Sequence, residues 1–556
     1  MSQAEFVARL VDGLVRGGAR RAVLSPGYRC APISLALRAH AELRCEVIVD
    51  ERVAGFYALG LARARGEPVI LACTSGSAVA NYLPAVVEAQ RARIPLVLLT
   101  ADRPPELQRA GAAQTMAQRG VFADFVVWAD ELAEPPALDE DVPRAPWDAR
   151  VAQAMAAARA DDGGPIHLNL PVRKPLLPEA ASPPRAAPPR LLRGRRSLPS
   201  DALAEVAARF AGAQRPVLVA GPMIRALDGE AAATGAALVD LAARSGWPLV
   251  ADLLAHCRPS ALQVGDAIGR RAGPEEVADA ILWFGDAPVS APLMRWIGRC
   301  EGPVVQVSPG GAWRDPTFAV DLMIDADAAE LAAGLELPLA PPAWRRQIGA
   351  LAQAAEAALA GAATGRASFN WEGPALGAAL AAWPGAVVHV ANSTAIRDLD
   401  TFGRLRPGQR ALCNRGLNGI DGTVATAAGE AAAIGEPLLA IVGDLALAHD
   451  LGALVHAPAT SLVILAVDNG GGQIFRQLPL RDHPDFDELF VTPTPLDLAA
   501  VAAATGWSYV AVDPGDGLRL AEALATGYEC GRTIVGLRFD PEVAAAARGE
   551  FWRQWR

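Results

Sequence analysis

Oxygen-bearing side chains follow two apolar runs near the C-terminal end of the sequence. Asp444 comes directly after Gly443 at the end of PLLAIVGD, and Asn469 follows SLVILAVD, ahead of three glycines. An Asp carboxylate, an Asn amide oxygen and the backbone carbonyl of Gly471 are hard ligands that suit Mg²⁺, which commonly takes further oxygens from a phosphate. The glycines allow a diphosphate to approach the backbone closely. The spacing therefore predicts a site for magnesium and a diphosphate.

The segments around these residues predict a strand, a helix and a second strand. The runs PLLAIVGD and SLVILAVDN are the predicted strands, and AHDLGALVHA between them has about the length of one helix. A strand–helix–strand unit of this kind is parallel and brings the ends of both strands to one edge of a sheet. Open α/β sheets bind ligands in the crevice at that edge, so we expect Asp444 and Asn469 to lie close together.

Short apolar runs alternate with helical segments along most of the chain, which predicts an α/β fold with three doubly wound parallel sheets. In the N-terminal part, RAVLSPG, CEVIVD, PVILACTSG and IPLVLLTADRP are predicted strands. We expect the following organisation: an α/β domain over 1–175, an extended Pro-, Ala- and Arg-rich linker over 176–200, a central α/β domain over 201–336, a connection over 337–368 and a third α/β domain over 369–556.

Composition excludes several classes of protein. No uncharged apolar stretch reaches the ~18 residues of a membrane span, and the net charge of −10 argues against a nucleic-acid surface. Seven scattered cysteines without a C-x-x-C pair, and an acidic N-terminus without a signal peptide, indicate a cytoplasmic protein without a zinc site. Lys174 is the only lysine and lies in RKPLLP, so a P-loop is absent; G-x-G-x-x-G is absent too.

The Asp444–Asn469 arrangement resembles the diphosphate-and-metal motif of thiamine-diphosphate enzymes, which also need a glutamate at the end of an apolar strand. VIVDERVAGFYALG supplies that residue as Glu51, at a predicted strand–helix junction. Further matching motifs follow in order: SPGYRCAPI, CTSGSAVANYLPAVVEA, LTADRPPEL, GAAQTM, FGDAPVSAPLMRW, VVQVSPGGAWRDPT, NSTAIRD, NRGLNGIDGTVATAAG, GDLALAHDL and DNGGGQIF. Together they closely resemble the 2-succinyl-5-enolpyruvyl-6-hydroxy-3-cyclohexene-1-carboxylate (SEPHCHC) synthases, thiamine-diphosphate-dependent transferases of menaquinone biosynthesis.

The resemblance implies the three-domain architecture of pyruvate-oxidase-like and decarboxylase-like enzymes, with a pyrimidine-binding N-terminal domain and a diphosphate-binding C-terminal domain. Glu51 is then the catalytic glutamate, which contacts the aminopyrimidine ring of thiamine diphosphate. Mg²⁺ or Mn²⁺ is held by Asp444, Asn469 and the carbonyl of Gly471. The further cofactor-binding positions are Ser393, Gly443 and Ile420, the last as the aliphatic residue that keeps the cofactor bent. The family is a homodimer or homotetramer in which Glu51 and the metal motif of one site come from different subunits.

The substrates are also implied by the resemblance. Arg397 and Arg415 match positions that hold substrate carboxylates, and their planar forks suit bidentate binding. Two arginines fit the dicarboxylate 2-oxoglutarate better than pyruvate. Arg29, Arg103 and Gln114 match positions around the cofactor and the substrates. The implied reaction decarboxylates 2-oxoglutarate and adds the remaining carbanion to isochorismate.

The sequence departs from the family pattern where the family holds isochorismate. Tyr28 replaces a serine, Ala113 replaces an asparagine, and Ala291 stands where a lysine is usual. Loss of an ammonium and an amide weakens anion binding unless other arginines compensate. A related enzyme that uses 2-oxoglutarate with a different acceptor is therefore an alternative.

Two further alternatives stay open. A decarboxylase or acetolactate-synthase-like activity on pyruvate fits poorly with the two arginines. A non-catalytic relative fits poorly with the joint presence of Glu51, Asp444 and Asn469.

Overall fold

A computed structural model describes residues 2–132, 146–177, 188–189, 191–223, 229–362, 370–457 and 461–555. Within these residues the strands form two six-stranded sheets and one five-stranded sheet. Every pair of neighbouring strands is parallel, and helices connect them. The predicted α/β fold with three parallel sheets is confirmed.

The first sheet contains the N-terminal strands. They are β1 (Arg21–Leu24), β2 (Arg44–Val47), β3 (Val69–Cys73), β4 (Leu96–Asp102), β5 (Trp128–Glu131) and β6 (Ile166–Pro171). Its helices are α1 (Gln3–Arg16), α2 (Ala31–Ala39), α3 (Glu51–Arg65), α4 (Ser77–Ala80), α5 (Leu83–Ala92) and α6 (Pro146–Ala158). The strand order is β2-β1-β3-β4-β6-β5, so the chain winds outward from β1 in both directions.

The second sheet has the strand order β11-β10-β9-β7-β8. The strands are β7 (Pro216–Ala220), β8 (Leu249–Ala251), β9 (Ala280–Phe284), β10 (Val304–Val307) and β11 (Leu322–Ile324). The helices are α7 (Ser200–Arg209), α8 (Gly229–Ser245), α9 (Gly265–Arg271), α10 (Ala291–Ile297), α11 (Ala328–Gly334) and α12 (Pro342–Ala362).

The third sheet repeats the topology of the first. Its strands are β12 (Val387–Val390), β13 (Arg410–Leu412), β14 (Leu438–Gly443), β15 (Leu462–Asp468), β16 (Ser508–Val512) and β17 (Thr533–Arg538), in the order β13-β12-β14-β15-β17-β16. Its helices are α13 (Glu372–Ala382), α14 (Thr394–Phe402), α15 (Thr423–Ile434), α16 (Asp444–His449), α17 (Leu451–His456), α18 (Leu498–Thr505), α19 (Gly517–Cys530) and α20 (Pro541–Trp555). The central strands β14 and β15 are Val-, Ile- and Leu-rich and buried, as is usual for parallel sheets.

Helix α3 of the first domain packs directly against helix α15 of the third, with their backbones in close contact. A Cβ atom added to Gly60 would lie 2.1 Å from the Thr426 carbonyl oxygen, and one added to Gly429 would lie 2.1 Å from the Tyr57 carbonyl oxygen. Only glycine allows two helix backbones to approach this closely. Beside this contact, buried Arg63 donates to Glu430 Oε1 over 3.1 Å.

Two local predictions are wrong in extent. The predicted strand CEVIVD ends at Val47, because β2 is an edge strand and Asp50 already caps α3. The predicted single helix AHDLGALVHA is two short helices, α16 and α17, divided at Asp450. The Asp450 side chain accepts a hydrogen bond from the Ala425 backbone N–H over 2.8 Å, and this contact with α15 accompanies the break.

Part of the predicted linker, residues 178–187 and 190, lies outside the described residues, as do 363–368 of the predicted connection and 369 at the start of the third domain. Residues 191–199 form neither helix nor strand, and α12 occupies much of the predicted connection. In the part of the chain that the structure describes, no helix combines the length and apolar character needed to cross a membrane.

Candidate functional site

Asp444 lies at the end of β14 and is the first residue of α16. Its Oδ1 accepts a hydrogen bond from the Leu445 N–H and its Oδ2 accepts one from the Gly471 N–H, each over 2.7 Å. The side chain is buried, and burial raises the pKa of the Asp444 carboxyl group, although the two N–H groups oppose the shift. Asp444 and the glycine segment after β15 are therefore in contact, as the sequence predicts.

Asn469 directly follows β15 and is also buried. Its side-chain Nδ2 donates to Oε1 of Glu372 over 2.7 Å, across 97 positions of sequence. An ionised carboxylate only accepts hydrogen bonds, so the amide nitrogen must face Glu372 and the amide oxygen must face away. In the described part of the chain, no hydrogen-bond donor reaches that oxygen.

Gly471 is held in a conformation that requires glycine. Its φ is +115°, and an added Cβ atom would lie 2.2 Å from the Val491 carbonyl oxygen. Its carbonyl oxygen accepts a hydrogen bond from the Gln473 N–H over 2.8 Å. A carbonyl oxygen has two lone pairs, so one is left for a further partner. An added Cβ atom at Gly443, at the end of β14, would meet nothing within 4 Å, so its backbone adjoins open space.

The oxygen atoms of Asp444, Asn469 and Gly471 suit a hard divalent cation. Asp444 forms no ion pair with any described arginine, and the nearby charge of Asp468 adds to the negative potential. The described residues contain no group of three or more His, Cys, Asp or Glu side chains that could bind a metal ion. A cation here would instead be bound by one carboxylate, one amide oxygen, a backbone oxygen and phosphate oxygens, the set that suits Mg²⁺.

Arg397 and Arg415 lie near each other without carboxylate partners among the described residues. Arg397 Nη1 donates to the Ser393 carbonyl oxygen over 2.5 Å, and Arg415 Nη1 donates to Asn392 Oδ1 over 3.0 Å. Partial desolvation and the positive charge of Arg415 lower the pKa of Arg397. A doubly anionic ligand would compensate both guanidinium charges.

Ser393 and Ile420 lie on the two segments that carry these arginines. Ser393 precedes α14 and has a φ of +67°, a backbone conformation that residues other than glycine rarely adopt. Ile420 lies before α15 and is 37% exposed, and its carbonyl oxygen accepts a hydrogen bond from Thr423 Oγ1. Ile420 thus leaves part of an aliphatic side chain accessible.

Glu51 is the first residue of α3, and Asp50 caps that helix by accepting from the Arg52 N–H. The Glu51 carboxylate is half-buried, and its Oε2 accepts a hydrogen bond from Asn81 Nδ2 over 3.4 Å. A carboxylate at a helix N-terminus is electrostatically favoured. Glu51 therefore has a defined position with part of its surface accessible.

Arg29, Arg103 and Gln114 lie together beyond the C-terminal ends of strands in the first sheet. Arg103 is buried, and its guanidinium donates to Gln114 Oε1 over 3.4 Å and to the Ser75 hydroxyl. Burial and the nearby charge of Arg103 lower the pKa of Arg29, which donates to the Val172 carbonyl oxygen over 2.8 Å. Neither arginine forms an ion pair with a described carboxylate. These side chains form a second cationic group, separate in sequence from Arg397 and Arg415.

Three residues that the sequence analysis did not single out contact the predicted site. They are Asn392, which binds Arg415; Glu372, which binds Asn469; and Glu88, which accepts from the Gly416 and Leu417 N–H groups beside Arg415. Asn392 and Glu88 lie within or beside matched motifs, and Glu372 is the one charged residue of the apolar segment WEGPALGAALAAW. A single acidic residue in an otherwise apolar segment indicates a buried carboxylate that needs a partner, and this pattern could have identified Glu372 from the sequence.

Comparison with known proteins shows the fold and the family of this chain. Residues 5–121 match the family described as "Thiamine pyrophosphate enzyme, N-terminal TPP binding domain". The benzoylformate decarboxylase from Polynucleobacter necessarius superimposes with a TM-score of 0.72 over 97% of this chain and 99% of that one, at 17% sequence identity. This structural similarity shows the fold.

Two curated relatives show the family. The SEPHCHC synthase of Geobacillus kaustophilus is 39% identical over 526 residues, which cover 89% of this chain and 88% of the relative. The SEPHCHC synthase of Haloarcula marismortui is 34% identical over 98% of this chain and 96% of the relative. With these similarities over nearly the full length of both relatives, the chain belongs to the SEPHCHC synthase family of transferases, which use thiamine diphosphate with a divalent metal ion such as Mg²⁺.

Proposed function

We propose that this protein decarboxylates 2-oxoglutarate and adds the remaining four-carbon carbanion to isochorismate, forming SEPHCHC in menaquinone biosynthesis. The observation that carries this proposal is the pair Arg397 and Arg415, two neighbouring guanidinium groups without a described carboxylate partner. They lie in the same domain as Asp444 and Asn469, Arg397 on α14 and Arg415 in the segment between β13 and α15. Paired guanidinium forks suit the two carboxylates of 2-oxoglutarate and leave one fork unsatisfied with pyruvate.

We assign the metal to Asp444 Oδ, Asn469 Oδ1 and the Gly471 carbonyl oxygen. Gly443, Ser393 and Ile420 would contact the cofactor, with Ile420 as the aliphatic residue against it. Thiamine diphosphate, when bound, supplies a nucleophilic carbon for the ketone of a 2-oxo acid and stabilises the negative charge left by carbon dioxide. The residues of the chain orient the reactants and balance their charges.

Glu51 is assigned as the proton partner of the cofactor's N1′ atom. The defined position of its carboxylate, between the start of α3 and Asn81, supports this role. A carboxyl group that shares its proton with N1′ favours the tautomer that activates the cofactor. Glu51 would thus hold a proton at the aminopyrimidine ring.

The cationic group formed by Arg29, Arg103 and Gln114 is assigned to the carboxylates of the second substrate. Arg103 is buried and held by Ser75 and Gln114, which gives its guanidinium a fixed direction. A fixed, unpaired arginine favours a carboxylate over a neutral acceptor.

We also propose a cytoplasmic homodimer or homotetramer with each active site at a subunit interface. Val47 and Val49 support an interface near Glu51, because they are 62% and 60% exposed on the edge of the first sheet. A mixture of Glu51→Gln and Asp444→Ala subunits tests the shared site. If a site combines Glu51 of one subunit with Asp444 of another, each mixed dimer contains one intact site and the random mixture recovers about a quarter of wild-type activity. An inactive mixture, with subunit exchange verified by mass spectrometry, would contradict a shared site.

The alternative of a different acceptor is favoured by one observation. Tyr28 is 67% exposed and directly precedes Arg29 of the second cationic group. A bulky ring changes the shape of a binding site more than the serine usual in the family. An acceptor smaller than isochorismate, or one that stacks on an aromatic ring, would fit this change.

Incubation with thiamine diphosphate, Mg²⁺, 2-oxoglutarate and isochorismate distinguishes these functions. A product with the mass of both substrates less carbon dioxide supports the main proposal. Loss of carbon dioxide from 2-oxoglutarate with intact isochorismate supports the different acceptor. Turnover of pyruvate in preference to 2-oxoglutarate would overturn the assignment of the two arginines.

A further inference from the structure

We propose that Glu372 is a positioning residue for the metal site, because it holds the side-chain amide of Asn469 with the amide oxygen directed away from Glu372 and available to the cation. The inference rests on the metal site proposed above. It adds a residue of α13 to that site and assigns it a single task, which is to fix which end of the Asn469 amide faces the metal.

The contact between the two side chains is short and buried. Asn469 Nδ2 lies 2.7 Å from Glu372 Oε1, and the two residues are 5% and 4% exposed. A distance of 2.7 Å is at the short end of hydrogen bonds to ionised acceptors, which are stronger than those between neutral groups. The two ends of an Asn side chain have nearly the same shape, so only the chemistry of the partner decides its orientation.

Arg548 of α20 contacts the second carboxylate oxygen of Glu372. Its Nη2 donates to Glu372 Oε2 over 3.1 Å, and its guanidinium also donates to both carboxylate oxygens of Asp398 over 2.5 and 2.6 Å. Burial opposes the charge, yet the carboxylates of Asp398 and Glu372 raise the pKa of Arg548 above its usual value. With Arg548 on one oxygen and Asn469 on the other, both Glu372 oxygens accept from a defined donor.

The same contacts connect the metal ligand to the segment that binds substrate. Asp398 is adjacent to Arg397 on α14, and Trp371 lies under Arg548 with the guanidinium carbon 4.9 Å from the ring centre. Asn469, Glu372, Arg548 and Asp398 therefore form one continuous series of hydrogen bonds from the end of β15 to α14, in which Arg548 is the one partly exposed member. Groups that orient a metal ligand in this way commonly change metal affinity 10–100-fold when they are replaced.

Glu372→Gln tests the orientation, because a glutamine has one acceptor oxygen for two donors. If Arg548 takes that oxygen, the glutamine NH₂ faces Asn469 and the Asn469 amide must turn its oxygen away from the metal. We expect the dissociation constant of Mn²⁺, measured by electron paramagnetic resonance with thiamine diphosphate present, to rise about 10–100-fold. Asp148→Asn is the matched control. It breaks the ion pair between buried Asp148 on α6 and Arg9 on α1, in the first domain, and should leave Mn²⁺ affinity unchanged.

A reciprocal exchange separates orientation from general packing. In Glu372→Gln with Asn469→Asp, the glutamine oxygen accepts from Arg548, its NH₂ donates to one oxygen of residue 469, and the other oxygen is free for the metal. We expect this double variant to bind Mn²⁺ more tightly than either single variant. A double variant that binds Mn²⁺ no more tightly than the tighter-binding single variant, or Mn²⁺ affinity of Glu372→Gln within about twofold of the wild type, would overturn the proposal.

The metal assignment itself is tested separately. Asp444→Ala should abolish Mn²⁺ binding whatever Glu372 does. If Asp444→Ala retains wild-type Mn²⁺ affinity, the proposed metal site fails and the role of Glu372 fails with it. If Asp444→Ala loses Mn²⁺ and Glu372→Gln does not, only the positioning role fails. Neither measurement depends on which acceptor the enzyme uses.

Discussion

The Glu88 carboxylate accepts a hydrogen bond from the backbone N–H of Leu417 over 2.7 Å, although 329 positions of sequence separate the two residues. Its other oxygen accepts from the Gly416 N–H over 2.8 Å. Glu88 lies on helix α5 of the first domain. The two N–H groups directly follow Arg415 in the third domain. The buried side chain of Glu88, in the first domain, therefore fixes the position of the loop that carries Arg415, a proposed substrate-binding residue.

Glu88→Gln should displace this loop, because a glutamine presents one acceptor and one donor to two N–H donors. We expect the KM for 2-oxoglutarate to rise about 10-fold, with a smaller change in kcat, and the free energy of unfolding to fall by about 1–3 kcal/mol. Steady-state kinetics and urea unfolding measure both effects. Asp148→Asn, which also removes a buried charge, should lower stability with an unchanged KM. Equal KM changes in the two variants would mean that loop position is not involved.

Asp444→Asn should separate metal binding from folding. The asparagine oxygen can accept from only one of the Leu445 and Gly471 N–H groups, and the negative charge for the cation is lost. We expect the Mg²⁺ concentration for half-maximal activity to rise about 100-fold. The stability of the metal-free protein should change by less than about 2 kcal/mol, because the loss of one N–H contact opposes the removal of a charge that burial disfavours. A large loss of metal-free stability would show that this carboxylate serves mainly to hold the loop.

Arg415→Lys should weaken the preference for a dicarboxylate. A lysine places its charge at one point and loses both the planar fork and the contact with Asn392 Oδ1. We expect kcat/KM for 2-oxoglutarate to fall about 100-fold, whereas kcat/KM for pyruvate changes by less than about 3-fold. Arg519→Lys on α19, where the arginine is exposed, is the control. Parallel losses for both substrates would place Arg415 on a carboxylate that they share.

Asp450 should make stability depend on pH. Burial raises the pKa of its carboxyl group to about 7, the N–H groups of Ala425 and Val424 oppose the shift, and the charges of Asp421 and Asp50 add to it. In the unfolded chain the pKa of Asp is about 4. Between these values the folded state binds more protons, so the contribution of Asp450 is most favourable at low pH and decreases as the pH rises to about 7.

Asp450→Asn removes this dependence and keeps an acceptor for the Ala425 N–H. We expect the variant to be more stable than the wild type at pH 8 by an amount on the order of 2–4 kcal/mol, with a smaller difference at about pH 4.5. Urea unfolding at the two pH values measures the difference, and the other buried carboxyl groups cancel because both proteins contain them. A difference between the proteins that does not change with pH would rule out titration of Asp450.

Local patterns were enough to predict the strands that position the metal motif. The apolar runs ending at Asp444 and Asn469 are β14 and β15, adjacent and parallel, because a strand–helix–strand connection has few other solutions. Local patterns were not enough at the edge of the first sheet. The apolar residues of CEVIVD predict a longer strand, but β2 ends at Val47, and Val47 and Val49 are exposed whereas Ile48 between them is buried.

The sequence by itself determined the fold class, the family and the residues of the motifs, since these depend on the order of short segments along the chain. Only the tertiary structure decided which distant groups hold those residues in place. Glu372 reaches Asn469 across 97 positions, and Glu88 reaches Leu417 across 329. The close packing of Gly60 against Thr426 is of the same kind. Such contacts follow no period and no fixed spacing, because they arise where separately folded segments meet and buried polar groups must find partners.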